Sequence, residues 1–227
     1  MVPRRVSKGG SAALKKTDFS CFQYFPKQCL DVLRSLGSPR KIQEFLEDGL
    51  EYNDECDGDT CLSALEVLRQ RRAHCIEGAM LAAAARLYHK KSALLLDLRA
   101  NKSDDDHVIM PFLENGKWGA VAQSHFMGLG FREPIYSSTA ELARSYFELY
   151  YDLDSEKKTL REYSVPLDVR TLKPDWLYSK KNVYYVSKAL DKIRHYDVLS
   201  GMAARKLRPA DSRLVAAERL LRAQRKK

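Results

Sequence analysis

The chain has 227 residues, 44% of them hydrophobic, which suits one globular domain with a sizeable core. No apolar run is long enough to cross a bilayer, and the basic first 16 residues lack the apolar stretch of a secretory signal. The net charge of +9 sits at the ends, +5 in residues 1–16 and +7 in residues 205–227, leaving −3 for the rest, a balance that argues against a nucleic-acid-binding core.

In chain order, residues 1–17 read as a disordered basic N-terminus, 18–208 as the folded domain and 209–227 as a basic helical tail. Helical patterns run from Phe25 to Leu36 and from Ser38 to Tyr52, the second opened by Ser38 as N-cap with Pro39 at the first helical position. An acidic, Gly-containing loop follows (53–60), then a short helix from Ser63 to Arg69. From Ile76 to Leu87 the chain is dominated by Ala, Leu and Met, the strongest helix formers, so a helix is predicted despite Gly78.

Cys75 stands at the start of that helix. A thiol there faces unpaired N–H groups and the positive end of the helix dipole, which favour thiolate over thiol. Glu77 complements the same helix start, and His74 reads as a loop-packing residue, because neighbours at a helix start point in different directions. The other cysteines are Cys21, Cys29, Cys56 and Cys61. An odd number at irregular spacing fits reduced thiols and a cytoplasmic protein, with mitochondrial import left open by the basic N-terminus. Cys56 and Cys61 have no second Cys/His pair at useful spacing, so no metal site is expected. Neither a Gly-rich phosphate loop nor a G-x-S-x-G elbow occurs, and no cofactor is expected.

A buried strand is predicted from Ser92 to Arg99. After the polar stretch 101–106, two apolar runs flank Asn115-Gly116, the strongest short-range hairpin signal, since both residues tolerate the positive φ of a type I′ turn. A two-residue loop sets Leu113 opposite Trp118, Pro111 opposite Ala120 and His107 opposite Ser124. Pro111 then lacks a donor on the outer side, as on an edge or bulged strand. His107 and Ser124 form a close non-hydrogen-bonded pair, in which the hydroxyl holds one imidazole nitrogen and leaves the other for Cys75. A one-residue bulge would place Gln123 or His125 there instead. The carboxylates at 104–106 read as a solvated loop beside His107.

Further on, Ser138 and Glu141 form a capping box, and Leu142, Tyr146, Leu149 and Tyr150 read as a core stripe. Trp176-Leu177-Tyr178 and Val183-Tyr184-Tyr185-Val186 read as packing anchors, and Ala210 to Arg225 as an amphipathic basic helix.

The run His74-Cys75-Ile76-Glu77-Gly78-Ala79, with Asp106-His107-Val108 and Asn115-Gly116-Lys117-Trp118, resembles the transglutaminase-like cysteine enzyme superfamily. Trp118-Gly119-Ala120, Phe131 to Tyr136 and Glu141 to Phe147 resemble a mostly bacterial branch of it. The resemblance spans about Asp59 to Arg208. It implies an α+β fold with a papain-like core, in which a helix carrying the nucleophile packs on an antiparallel sheet and helical additions lie at both ends. It also implies acyl transfer or hydrolysis at an amide of a peptide or protein substrate. Cys75 matches the nucleophile and His107 the base. No carboxylate lies between Val121 and Phe126 to match the acidic third member, and Ser124 stands as a neutral orienter in its place. The alternative is an inactive interaction module that keeps the fold.

Overall fold

The computed structural model describes residues 20–225, apart from 57. The fold is α+β: helices pack on both faces of an antiparallel sheet. The expectations for residues 1–17 lie outside the described residues.

Helices α1 (Lys27–Ser35) and α2 (Pro39–Asp48) form where the periodicity placed them, and Ser38 Oγ accepts from Lys41 N as the N-cap. Helix α2 stops short of Tyr52. Beyond Gly49 the chain is drawn into strand β1 (Glu51–Tyr52), which pairs in parallel with β2 (Arg72–Ala73). Between these strands lies α3 (Ala64–Gln70), capped by Ser63, whose Oγ accepts from Glu66 N. Arg71 ends it in the left-handed region (φ 55°). β2 leads directly into α4 (Cys75–Tyr88), in which Ile76 to Ala85 and Leu87 are all buried. A helix apolar on every side belongs inside the protein, and α4 is the central rod of the core. Gly78 is the cost of its close approach to the 122–123 segment: a Cβ there would lie 2.4 Å from Gln123 Cβ.

The main sheet contains β3 (Leu94–Ala100), β4 (His107–Glu114), β5 (Lys117–Val121), β6 (Arg132–Tyr136), β7 (Leu160–Ser164), β8 (Leu167–Asp168) and β9 (His195–Asp197). Its order is β6-β5-β4-β3-β7-β9, with β8 also pairing β3. Side chains alternate across it. Val108, Met110 and Phe112 of β4 pack with α4, whereas Ile109 packs with Leu96 and Leu98 against Leu142, Tyr146 and Tyr150 on the opposite face.

The β4–β5 hairpin has the predicted turn and register. Asn115 (φ 49°) and Gly116 (φ 76°) form the loop, and Leu113 pairs Trp118 while Pro111 pairs Ala120. Two expectations fail. β4 is not an edge strand, since β3 flanks it on the other side; Pro111 is accommodated because the β3 ladder ends at Ile109. The β5 ladder also ends, at Met110–Val121, so Ser124 never comes opposite His107. Past Val121 the chain is held by α2 instead: buried Gln43 accepts from Ala122 N and donates to Ala122 O, both at 2.9 Å, on the side of β5 that faces away from β4.

Helix α5 (Thr139–Arg144) begins at Ser138, whose Oγ accepts from Glu141 N, while Glu141 itself accepts from Ser137 N. Of the stripe beyond it, Leu142, Tyr146 and Tyr150 are buried and Leu149 only half so. Trp176, Leu177, Val183 and Val186 are buried anchors, but Tyr184 is exposed. The chain continues through α6 (Tyr185–Lys192) and α7 (Gly201–Ala204) to α8 (Ser212–Arg225). Val215 and Glu218 of α8 are buried against the domain, and Glu218 accepts from Met127 N at 3.1 Å. No helix among the described residues is long and apolar enough to cross a membrane.

Candidate active site

Cys75 is the first residue of α4, at the end where its N–H groups are unpaired. Of the five cysteines, Cys21, Cys29 and Cys61 are buried, Cys56 is exposed and Cys75 is half-buried; none forms a disulfide. Cys75 opens into a cleft of about 520 Å³ that His74, His107, Asp106, Ser124 and Leu129 also line. A second cleft, of about 910 Å³, shares Tyr52, Asp54, Ser124, His125 and Phe126 with the first.

His107 opens β4, and its side chain lines the same cleft as the Cys75 thiol. Its Nε2 lies 2.9 Å from the Leu129 carbonyl oxygen. A carbonyl can only accept, so Nε2 carries the proton and Nδ1 is left with its lone pair for the thiol. Sequence reasoning placed Cys75 and His107 together, and the structure brings them together. It set Ser124 against the imidazole, and in the structure Leu129 O stands there instead. Ser124 lines the cleft, but its Oγ accepts from Phe126 N at 3.0 Å, within its own turn. Gln123 and His125 do not replace it: Gln123 is buried under Gly78, and His125 Nδ1 lies 2.9 Å from Asp54. A backbone carbonyl leaves no side-chain signature, so nothing in residues 121–126 could have revealed it.

His74 is the residue that sequence reasoning missed. Its Nδ1 lies 4.0 Å from Cys75 Sγ. Its Nε2 faces the Thr60 carbonyl at 3.1 Å, Glu77 at 3.4 Å and Glu55 at 3.6 Å. Neighbouring side chains on a continuous helix diverge, but His74 is the N-cap, with extended backbone (φ −93°, ψ −172°), and that break turns its ring towards the thiol. Glu77 is fully buried. It accepts from Asn53 Nδ2, Thr60 Oγ1, Leu62 N and His74 N at 2.7–3.1 Å.

Electrostatics follow from these contacts. Burial pushes the Cys75 thiol up, but hydrogen bonds from His107 and His74 and the charge of both outweigh it and bring the group down to about 6. Burial disfavours the charged form of His74, yet Cys75 and Glu77 raise it to about 11. Burial likewise opposes ionisation of Glu77, and His74, Thr60 and Leu62 N reverse this, holding the carboxyl at about 2. The thiolate–imidazolium form is therefore the stable one at neutral pH.

The 104–106 carboxylates are not all solvated. Asp104 accepts from Thr159 Oγ1 and Asp106 from Ala100 N, and the Asp106 carbonyl oxygen lies 3.9 Å from Cys75 Sγ. Asp97, on the same cleft, meets buried His195 Nε2 at 2.9 Å. Burial raises Asp97 to about 6 despite that partner. No group of three or more His, Cys, Asp or Glu among the described residues is placed to hold a metal ion. No protein-family model matches the chain, and no curated protein matches it in sequence.

Proposed function

We propose that the chain is a transglutaminase-like cysteine enzyme with a papain-like core, acting on an amide bond through an acyl-enzyme. The observation that carries the reading is a thiol at a helix start that shares its cleft with an imidazole whose Nε2 is fixed by a carbonyl. In this reading the Cys75 proton passes to His107 Nδ1 first, and Sγ attacks the amide carbon as the thiolate. The C=O π electrons move to oxygen, and the Cys75 N–H at the start of α4 helps stabilise that oxyanion. Collapse re-forms the carbonyl and expels the amine, which takes the proton back from His107. Water or a second amine, deprotonated by the same imidazole, then attacks the thioester and frees Cys75. The two adjoining clefts suit an extended peptide or protein substrate better than a small molecule.

The test is a peptide library incubated with the full chain, with and without an added primary amine, and read by mass spectrometry. Cleaved, deamidated or amine-linked products that vanish in Cys75→Ala support the reading. The same products in Cys75→Ala would overturn it, and their absence from the wild-type chain would favour a non-catalytic interaction module.

A further inference from the structure

We propose that His74 is a second working imidazole of this site. Glu77 and Glu55 hold it as a fixed imidazolium that keeps Cys75 a thiolate, while His107 alone moves the proton. The inference rests on the reading of Cys75 as the nucleophile and adds a division of labour between two histidines.

Around Nε2 of His74 every polar neighbour is an acceptor: the Thr60 carbonyl and the carboxylates of Glu77 and Glu55. On the Nδ1 side lie Cys75 Sγ, at 4.0 Å, and the Glu77 N–H of the capping box. An Nε2–H serves this cluster of acceptors, and a second N–H at Nδ1, turned to Sγ rather than to the Glu77 N–H, completes an imidazolium. Glu77 cannot leave this arrangement or take up a proton cheaply, because four donors converge on its two oxygens in a site closed to solvent. The acidic partner that is missing beside His107 is thus present beside His74.

His107 is built for the other task. Leu129 O is neutral, so it orients the ring without adding charge that would hold a proton there. The proton balance is simple. The thiol proton goes to His107 Nδ1 and leaves with the departing amine, and His74 keeps both of its protons throughout.

The surroundings make a fixed cation necessary. Asp105 and Asp106 bring negative charge to the same cleft and oppose the thiolate. Burial holds the phenols of Tyr52 and Tyr150 well above their usual range and the Cys61 thiol at about 12, so these three neighbours stay neutral.

The experiment has two arms, both on the full chain. In the first, alkylation of Cys75 by iodoacetamide is followed against pH by peptide mass spectrometry. The wild-type profile should inflect at about pH 6. His74→Gln should raise the inflection by about one pH unit or more, a roughly tenfold loss of thiolate on the acid side. His74→Lys should restore most of it, because a lysine supplies the charge but not an imidazole base. In the second arm, nitrogen-15 spectra of the wild-type imidazoles should show His74 doubly protonated at pH 8, which needs no variant to fold. A neutral His74 at pH 8, or an inflection that His74→Gln leaves at about 6, overturns the assignment and leaves Cys75 as nucleophile intact. Failure of His74→Lys to restore an inflection that His74→Gln has raised would also overturn it, by making His74 itself the proton acceptor. A wild-type inflection near 9, the value of an ordinary thiol, would instead remove the nucleophile reading itself.

Discussion

The two walls that meet at Cys75 are built differently. On the helix side, His74, Glu77, Asn53, Thr60 and Leu62 form a closed network in which a buried carboxylate has every lone pair engaged. On the strand side, His107 has one neutral partner, Leu129 O, on a loop that has left the sheet. A charged, saturated network fixes a state, whereas a single neutral hydrogen bond fixes an orientation and leaves the protonation free to change. In the proposed reading, one wall sets the resting charge of the thiol and the other moves its proton.

Breaking the strand wall should have the largest effect on turnover. His107→Ala should lower amide turnover by about 10²–10⁴-fold, the range of general acid–base catalysis, with the fold retained by circular dichroism. Turnover within a few-fold of wild type would mean that His107 is not the base.

Breaking the helix wall should show first in stability. Glu77→Gln removes a buried charge that accepts four hydrogen bonds, and bonds to charged groups are worth about 1.5–3 kcal/mol each, so urea unfolding should report a loss of several kcal/mol. The pH dependence of that loss has a definite sign. Glu77 is depressed to about 2 when folded, from 4.5, so its contribution is present above pH 4.5 and disappears as pH falls towards 2. His74 is raised to about 11, from 6.5, so its contribution is complete below pH 6.5 and disappears as pH rises towards 11. The stability gap between wild type and Glu77→Gln should therefore be widest between pH 4.5 and 6.5. A gap that keeps growing above pH 7 would contradict the ion pair.

The relative position of the walls depends on Gly78. Gly78→Ala places a methyl carbon where only 2.4 Å separates it from Gln123 Cβ, and overpacking of this kind costs about 1–3 kcal/mol. The shift should also move α4 against the loop that carries Leu129, and so raise the Cys75 inflection. A variant as stable as wild type would mean that the 122–123 segment yields freely.

The smallest effect belongs to Ser124. Its hydroxyl serves only Phe126 N, a bond worth on the order of 1 kcal/mol, so Ser124→Ala should change turnover by less than about fivefold. A loss as large as that of His107→Ala would restore Ser124 to the site.

These contrasts also mark what the sequence could reveal. The helix from Cys75 was legible because Ala, Leu and Met carry their preference locally, and the hairpin register was legible because Asn115-Gly116 dictates a turn. Cys75 and His107 followed from those two local signals. Ala122, where the chain has left β4, is held by Gln43, 79 residues away, and no local pattern encodes that contact. Leu129 acts through its backbone, which has no residue-type signature. His74 was misjudged because the rule for neighbouring helix residues applies inside a helix, and an N-cap lies outside it.

The most direct test of the account is competition among the five thiols. The full chain at pH 6 is exposed to limiting iodoacetamide, and each cysteine is quantified by peptide mass spectrometry. Cys75 should label first although it is only half-buried and Cys56 is exposed, because at that pH about half of Cys75 is thiolate. Faster labelling of Cys56, with Cys75 reacting only as pH approaches 9, would contradict it.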